Sequence, residues 1–339
     1  VNILAIESSC DETSAAVLAN GQLRSNIIAT QLIHEQYGGV VPELASRAHQ
    51  QHILPVVERA LIDANIAKTE LSAIAFTRGP GLLGSLLVGA SFAKALALGL
   101  NIPLIEVNHM QAHVLAHFID DQHEGIARPK PGFPFLCLTV SGGHTQLVRI
   151  NSPLTMEVIG QTQDDAVGEA FDKSAKLLNL PYPGGPLIDK YAKAGNPLAY
   201  KFPMGEMPGL DFSFSGIKTA ILYFLRDNVK KNPDFIAENL ADICASIQHT
   251  LVQMLLSKLK RAVRETGIHD IAIAGGVSAN SGLRSALTQL GNEQNWNVFI
   301  PRFEYCTDNA AMIAMAAQFK YEQGDFTAQT VSPLPRMSF

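Results

Sequence analysis

One pattern occurs twice in this 339-residue chain and constrains its fold more than any single motif. Apolar, β-branched runs at residues 2–7 and 14–18 flank Ser8-Ser9-Cys10-Asp11-Glu12-Thr13, and a second pair at 135–140 and 145–150 flanks Ser141-Gly142-Gly143-His144. Short apolar runs broken by small polar residues predict strand–turn–strand units. Two halves that open alike imply two similar lobes facing a cleft, each with its own core. Asn20-Gly21 supplies a further turn and residues 22–30 a third strand. Residues 120–134, rich in charge, proline and glycine, read as the linker. The expected division is an N-terminal lobe over 1–128 and a C-terminal lobe over 129–339, with the last helix able to cross back.

Composition narrows the class. With 47% apolar and 17% charged residues the chain is a compact globular protein and not a long disordered one. A net charge of −5 argues against a surface coated for nucleic acid, while leaving room for a local basic patch. The most apolar stretch, residues 82–100, is interrupted by Ser85, Ser91, Lys94 and several glycines and does not read as a membrane span. The first six residues read as a strand and not as a signal peptide. Cys10, Cys137, Cys244 and Cys306 lack C-x-x-C spacing, which suits reduced thiols in a cytoplasmic protein.

The most specific chemistry lies in Asn108-His109-Met110-Gln111-Ala112-His113. Asn108 follows the strand-like run 102–107 and is a good cap for a helix through Phe118. On that helix His109 and His113 project from one face, about 6 Å apart along the axis and roughly 40° around it, a spacing that can grip one metal ion. The same pair also suits an ordinary polar helix face. Zinc proteases of the His-Glu-x-x-His type place a glutamate after the first histidine, and Met110 stands there instead. His117 extends the series by one further turn and reads as a surface residue. Any third ligand comes from far away in sequence. Asp308, before the last helix, is a candidate, and equally a helix cap.

Several glycine-rich junctions suggest ligand approach. Gly79-Pro80-Gly81-Leu82-Leu83-Gly84 formally matches a dinucleotide fingerprint between strand 71–77 and a helix to about residue 98, although tight packing explains the glycines as well. The turn at Gly142-Gly143 and the strand-to-helix junction at Gly275-Gly276 can bring backbone N–H groups to an anion or a nucleoside. Asp164-Asp165 with Glu169 and Asp172 head a helix to residue 178, with Asp165, Glu169 and Asp172 expected on one face. Pro183-Gly184-Gly185-Pro186 forms a rigid loop before Asp189. Residues 211–218 alternate like a strand. Helices are expected over 236–265, where Lys258, Lys260, Arg261 and Arg264 suit either RNA phosphates or a solvated helix end.

Together these pieces resemble one family. Ser9-Cys10-Asp11-Glu12-Thr13, Gly39-Val40-Val41-Pro42-Glu43, His109-Met110-x-x-His113, Ser141-Gly142-Gly143-His144-Thr145, the acidic run to Asp172, residues 211–216 and residues 274–280 are similar, in order from about residue 3 to 320, to the catalytic subunit of bacterial tRNA N6-adenosine threonylcarbamoyltransferases, formerly labelled O-sialoglycoprotein endopeptidases. The resemblance implies an α/β chain of the actin-like, Hsp70-like ATPase (ASKHA) fold, with two ribonuclease-H-like lobes around a cleft. It implies that His109, His113 and Asp308 hold Fe²⁺ or Zn²⁺. It also implies that Thr139, Val140, Ser141, Gly142, Gly143, Asp172, Gly185, Asp189 and Asn280 hold threonylcarbamoyl-AMP, and that Asp11 and Glu12 lie at the reaction end.

The implied acyltransferase reaction forms t6A at adenosine 37 of tRNAs reading ANN codons, with the anticodon loop as substrate and AMP as product. Implied partners are a shorter paralogue of similar fold (TsaB-like), a small ATPase (TsaE-like) and an adenylate-supplying enzyme (TsaC-like), with no membrane. Two other classes stay open: a nucleotide-binding regulatory or chaperone module of the actin-like type, and, against the Met110 observation, a metalloprotease.

Overall fold

The computed structural model describes residues 1–120, 129–205 and 207–339, so residues 121–128 of the expected linker lie outside the described residues. The chain forms two compact units. The first comprises Val1–Lys130, Ser152–Met156 and Pro301–Phe339, and the second Pro131–Asn151 and Glu157–Ile300.

In the first unit the chain runs β1 (Asn2–Glu7), β2 (Glu12–Ala19), β3 (Gln22–Thr30), α1 (Pro42–Ala64), β4 (Ala73–Gly79), α2 (Leu83–Leu100), β5 (Leu104–Asn108) and α3 (His109–Leu115). The sheet order is β3-β2-β1-β4-β5, with β1 antiparallel to β2 and parallel to β4. Side chains alternate across a strand, so β1 sends Leu4 and Ile6 to one face and Ile3 and Ala5 to the other. Leu4 and Ile6 pack with Ile53 and Val57 of α1 and Ala90 and Ala93 of α2. Both faces are covered, which is why β1 reads as a continuous apolar run and not as an alternating one. Among the described residues α2 alone is long and apolar enough to cross a membrane, by length and composition. It nevertheless lays Ala90, Ala93 and Ala97 on the sheet.

The second unit repeats the plan. It contains β6 (Phe135–Val140), β7 (Thr145–Ser152), β8 (Thr155–Gln161), α4 (Val167–Leu177), α5 (Gly184–Ala192), α6 (Ser215–Val229), α7 (Phe235–Thr266), β9 (Asp270–Ala274), α8 (Ser281–Gln294) and β10 (Asn297–Phe299). Its order, β10-β9-β6-β7-β8, is the first sheet's order read from the other edge, with β6 antiparallel to β7 and parallel to β9. The repeated hairpin thus marks a repeated sheet. Two expectations fail here. Residues 211–218 do not form a strand: Phe212 makes one isolated bridge to Thr162, and α6 begins at Ser215. The cause is Asp164, whose carboxylate accepts the Phe214 and Ser215 N–H groups and the Ser213 and Ser215 hydroxyls, and so starts a helix where alternation suggests a strand. The helices expected over 236–265 are one helix, α7, whose buried side runs from Ile243 to Val263.

The last helix, α9 (Ala310–Glu322), belongs to the first unit and covers the face of the sheet opposite α1 and α2. There Ala310, Ile313, Ala314 and Ala317 meet Ile3, Ala5 and Leu18. Small residues let this helix lie close to the strands.

Gly275 follows β9 with φ 88° and ψ 168°, a backbone region open essentially to glycine alone. A Cβ there would stand 2.5 Å from the Val140 carbonyl oxygen. Gly275→Ala is therefore expected to cost about 2 kcal/mol or more, read as a lower denaturant midpoint at unchanged slope.

Candidate functional site

The strand-to-helix junction at Asn108 sets the first group of functional side chains. Asn108 Oδ1 accepts the Met110 and Gln111 N–H groups at 2.9 and 3.1 Å, capping α3 directly off the end of β5. Its amide nitrogen is fixed in turn, donating to the Ser338 carbonyl at 2.7 Å. The cap turns His109 and His113 inward, with their rings edge to face at 4.7 Å between centroids. Asp308 arrives from the other end of the chain. Asn309, and not Asp308, caps α9, its side chain accepting the Met312 N–H, which leaves Asp308 turned to the histidines. Asp308 Oδ1 lies 3.3 Å from His109 Nε2 and 3.1 Å from His113 Nε2.

The ligand atoms of His109, His113 and Asp308 all lie within 4.8 Å of one another. Donors bound at about 2.0–2.2 Å to a tetrahedral ion stand about 3.3–3.6 Å apart, so the spacing fits one ion. Two imidazoles with one carboxylate suit Zn²⁺ or Fe²⁺. The histidines are buried while the Asp308 side chain keeps 23% of its exposure, so solvent reaches the group from the carboxylate side. His117 is half-buried in a short 3₁₀ turn and is not part of the cluster.

Behind the cluster stands Glu7, a residue that the sequence did not single out. Fully buried at the end of β1, it accepts the Ser9 N–H at 2.5 Å, the Thr77 hydroxyl at 2.6 Å and His109 Nδ1–H at 3.1 Å. A carboxylate on Nδ1 selects the tautomer whose Nε2 lone pair is free to bind a metal. Burial alone would raise the Glu7 pKa, but the charge and hydrogen bond of His109 bring it below the usual value. Burial likewise opposes charging of His109, yet Asp308 and Glu7 raise its pKa well above the ordinary histidine range. Burial and the neighbouring His109 charge lower that of His113. Burial again opposes ionisation of Asp308, and the two histidines overcome it and hold its carboxyl far below the usual range.

Asp11 and Glu12, at the turn between β1 and β2, add to this group. Burial, then the charges of Asp308 and Asp11, push Glu12 up to about 9. The ionised Glu7 and Asp308 carboxylates face one charged imidazole, His109, a surplus of negative charge that a divalent cation would relieve.

The second unit holds a separate pocket of about 290 Å³, at the small end of ligand sites, lined by Gly142, Asp172, Gly185, Asp189, Gly276 and Asn280 among others. Asp172 Oδ1 accepts the Gly184 and Gly185 N–H groups at 2.9 and 3.0 Å and so closes the glycine loop on α4. Asp189 Oδ1 accepts the Ser281 N–H and hydroxyl. Asn280 caps α8 through Leu283 N–H, while its amide nitrogen donates to Gln248 Oε1 at 2.7 Å. Of the nine expected adenylate residues, Gly142, Asp172, Gly185, Asp189 and Asn280 share this pocket. Thr139 and Val140 are buried within β6, and Ser141 is spent on the turn, exchanging hydrogen bonds with His144. A Cβ on Gly142 or Gly143 would meet nothing within 4 Å, so both stand in open space.

The acidic stripe divides. Asp165 precedes the helix and shares Lys173 with Glu169, at 2.6 and 2.9 Å, while Asp172 turns toward α5. The dinucleotide-like glycines of residues 79–84 serve packing: a Cβ on Gly81 would stand 2.5 Å from the Ser9 carbonyl oxygen.

A family model described as TsaD: tRNA N6-adenosine threonylcarbamoyltransferase matches residues 22–315. Two proteins named tRNA N6-adenosine threonylcarbamoyltransferase are similar over the full length. That of Cytophaga hutchinsonii is 64% identical over 337 residues, covering 99% of this chain and 96% of its own. That of Christiangramia forsetii is 64% identical over 340 residues, covering 100% and 98%. Among solved structures, full-length HypF in the phosphate- and nucleotide-bound form superposes with a TM-score of 0.63 at 14% identity, over 96% of this chain and 47% of that one. At that identity the likeness concerns the fold alone, which is of the actin-like, Hsp70-like ATPase (ASKHA) class.

Two outcomes follow from the first-unit cluster. Glu7→Gln is expected to lower Zn²⁺ affinity by about 10–100-fold, measured by chelator competition, because it unfixes the His109 tautomer. In metal-free protein the folded state binds the Glu12 proton more tightly than the unfolded state between pH 4.5 and about 9. Stability should therefore fall as pH rises through that window, and Glu12→Gln should flatten the fall in thermal unfolding scans.

Proposed function

From the premise that the chain belongs to the TsaD family of tRNA N6-adenosine threonylcarbamoyltransferases, we propose which of its residues carry out the transfer of threonylcarbamoyl to N6 of an adenosine in tRNA. The donor is threonylcarbamoyl-AMP and the acceptor is adenosine 37 in the anticodon loop of tRNAs reading ANN codons, where an unstacked base is accessible. The donor is already an activated mixed anhydride, so no enzyme nucleophile is required. N6 attacks the carbamoyl carbonyl carbon, the bond from that carbon to the phosphate oxygen breaks, and AMP leaves.

Asp11 takes the proton shed by the amine. Glu12, held protonated into the alkaline range, orients Asp11 through the hydrogen bond between their carboxyls. The ion assigned to His109, His113 and Asp308 is Fe²⁺ or Zn²⁺; when bound it supplies a positive charge that polarises a substrate oxygen and offsets developing negative charge. Glu7 fixes the tautomer of His109, and the Asn108 cap fixes where α3 begins.

In the second unit, Gly142, Gly143 and Gly276 offer open backbone to the phosphate, while Asp172, Gly185, Asp189 and Asn280 frame the nucleoside. The observation that carries this reading is the convergence of two helix-borne imidazoles and a carboxylate from 195 positions later, in a member of this family. The protease reading finds no support, because the residue after His109 is Met110 and it is buried.

A mildly acidic protein with tRNA as its substrate works with partners: a shorter paralogue of similar fold, a small ATPase and an adenylate-forming enzyme. The setting is the cytoplasm, which suits four cysteines that form no disulfide. The test is reconstitution with those partners, threonine, bicarbonate, ATP and unmodified tRNA, followed by mass spectrometry of digested nucleosides. The expected product is t6A; its absence, beside peptide cleavage or ATP turnover alone, overturns the proposal. Asp11→Asn should slow transfer about a hundredfold or more in single-turnover assays while leaving adenylate affinity unchanged.

A further inference from the structure

The turn that carries Asp11 and Glu12 is held from outside, and one of its holders is a buried histidine with no part in the chemistry above. His49 lies inside α1 with no exposed surface. Its Nε2 is 2.9 Å from the Cys10 carbonyl oxygen and its Nδ1 is 2.7 Å from Thr13 Oγ. A carbonyl oxygen only accepts, so Nε2 carries the proton and Nδ1 accepts the Thr13 hydroxyl. Both ring nitrogens are thereby spent on the two residues that bracket Asp11 and Glu12.

A second helix grips the same turn. Ser85 of α2 donates its hydroxyl to the Cys10 carbonyl at 3.1 Å, its own carbonyl accepts the Ser8 hydroxyl at 3.0 Å, and Leu82 N–H donates to the Ser9 carbonyl at 2.8 Å. The helix comes this near because glycines face the turn: a Cβ on Gly89 would stand 2.2 Å from Ser8 Oγ, and one on Gly81 2.5 Å from the Ser9 carbonyl oxygen. Of the glycines that mimic a dinucleotide fingerprint, Gly81 thus helps seat this turn, while Gly79 faces Leu334 and Gly84 faces Ser46.

We infer that His49 is a positioning residue for the transfer step. It acts through the Cys10 carbonyl and the Thr13 hydroxyl to fix the Asp11–Glu12 carboxyls, with Ser85 as the second anchor. The inference rests on the assignment of Asp11 and Glu12 to the reaction. Held at both ends, the turn keeps the two carboxyls in one arrangement, and misplacement by about 1 Å at such a site costs about a hundredfold in rate.

The experiment uses the full chain with its partner proteins and compares His49→Phe, His49→Gln, Thr13→Val and Ser85→Ala. Each is read for single-turnover transfer rate, KM for tRNA, Zn²⁺ content and unfolding midpoint. His49→Phe should lower the rate about tenfold or more, with KM and metal content within about twofold of wild type. His49→Gln keeps an amide donor for the Cys10 carbonyl and should recover most of the rate. If His49→Phe does not fold, Thr13→Val and the double variant Ser85→Ala/His49→Gln decide. Thr13→Val should slow transfer, and the double variant should lose more than the product of the single losses. A folded His49→Phe at full rate overturns the inference, as does a loss that falls equally on KM or metal content, or a Gln variant no better than Phe. Asp11→Asn at full rate would instead overturn the assignment of the turn to the reaction, so the two failures are separable.

Discussion

A buried carboxylate at the end of a central strand organises the first unit. Glu7 has no exposed surface, and its two oxygens receive the Ser9 amide, the Thr77 hydroxyl and the His109 ring. Those partners come from the turn after β1, from β4 and from α3, so one side chain ties three elements at the sheet's carboxyl edge. An isolated ionised carboxylate would not survive such burial; this one does because a histidine charge and two further hydrogen bonds face it. The dependence is mutual, since the same oxygen that His109 stabilises fixes which nitrogen of His109 looks outward.

The two sheets share an order but divide the chemistry. In the first, the hairpin turn carries carboxylates and the fourth strand runs into Gly79 and Gly81; in the second, the turn carries glycines and the fourth strand runs into Gly275 and Gly276. The glycines do the same job in both places. Gly81 abuts the Ser9 carbonyl just past β1, and Gly275 abuts the Val140 carbonyl at the end of β6. A glycine after the fourth strand lets the backbone leaving the first strand come within contact distance. What differs is the use of the space beyond. It is filled by Ser8, Ser9 and α2 in one unit and open at Gly276 in the other.

Much of this was legible in the sequence because it is local. Strand-to-turn alternation gave β1, β2, β6 and β7, Asn108 announced the start of α3, and i, i+4 spacing put His109 and His113 on one face. What could not be read depends on distant partners. Glu7 looks like the polar end of an apolar strand until Thr77 and His109 close on it. His49 looks like one polar residue among several on α1 until the Cys10 carbonyl fills its Nε2. Alternation over residues 211–218 misleads because Asp164, about fifty positions earlier, caps a helix there. In the sequence Asp308 suits a cap as well as a ligand; Asn309 takes the capping role and frees it.

The order in which these donors are synthesised has a consequence for biogenesis. Two histidines sit on α3 at about a third of the chain, whereas Asp308 comes after the whole second unit, just before α9, the helix that covers the sheet. A nascent or prematurely terminated polypeptide thus presents a two-nitrogen half-site with nothing to complete it. An ion held by all three donors would therefore be taken up only after residue 308 has been made, so a complete centre would report that the chain had been built nearly to its end.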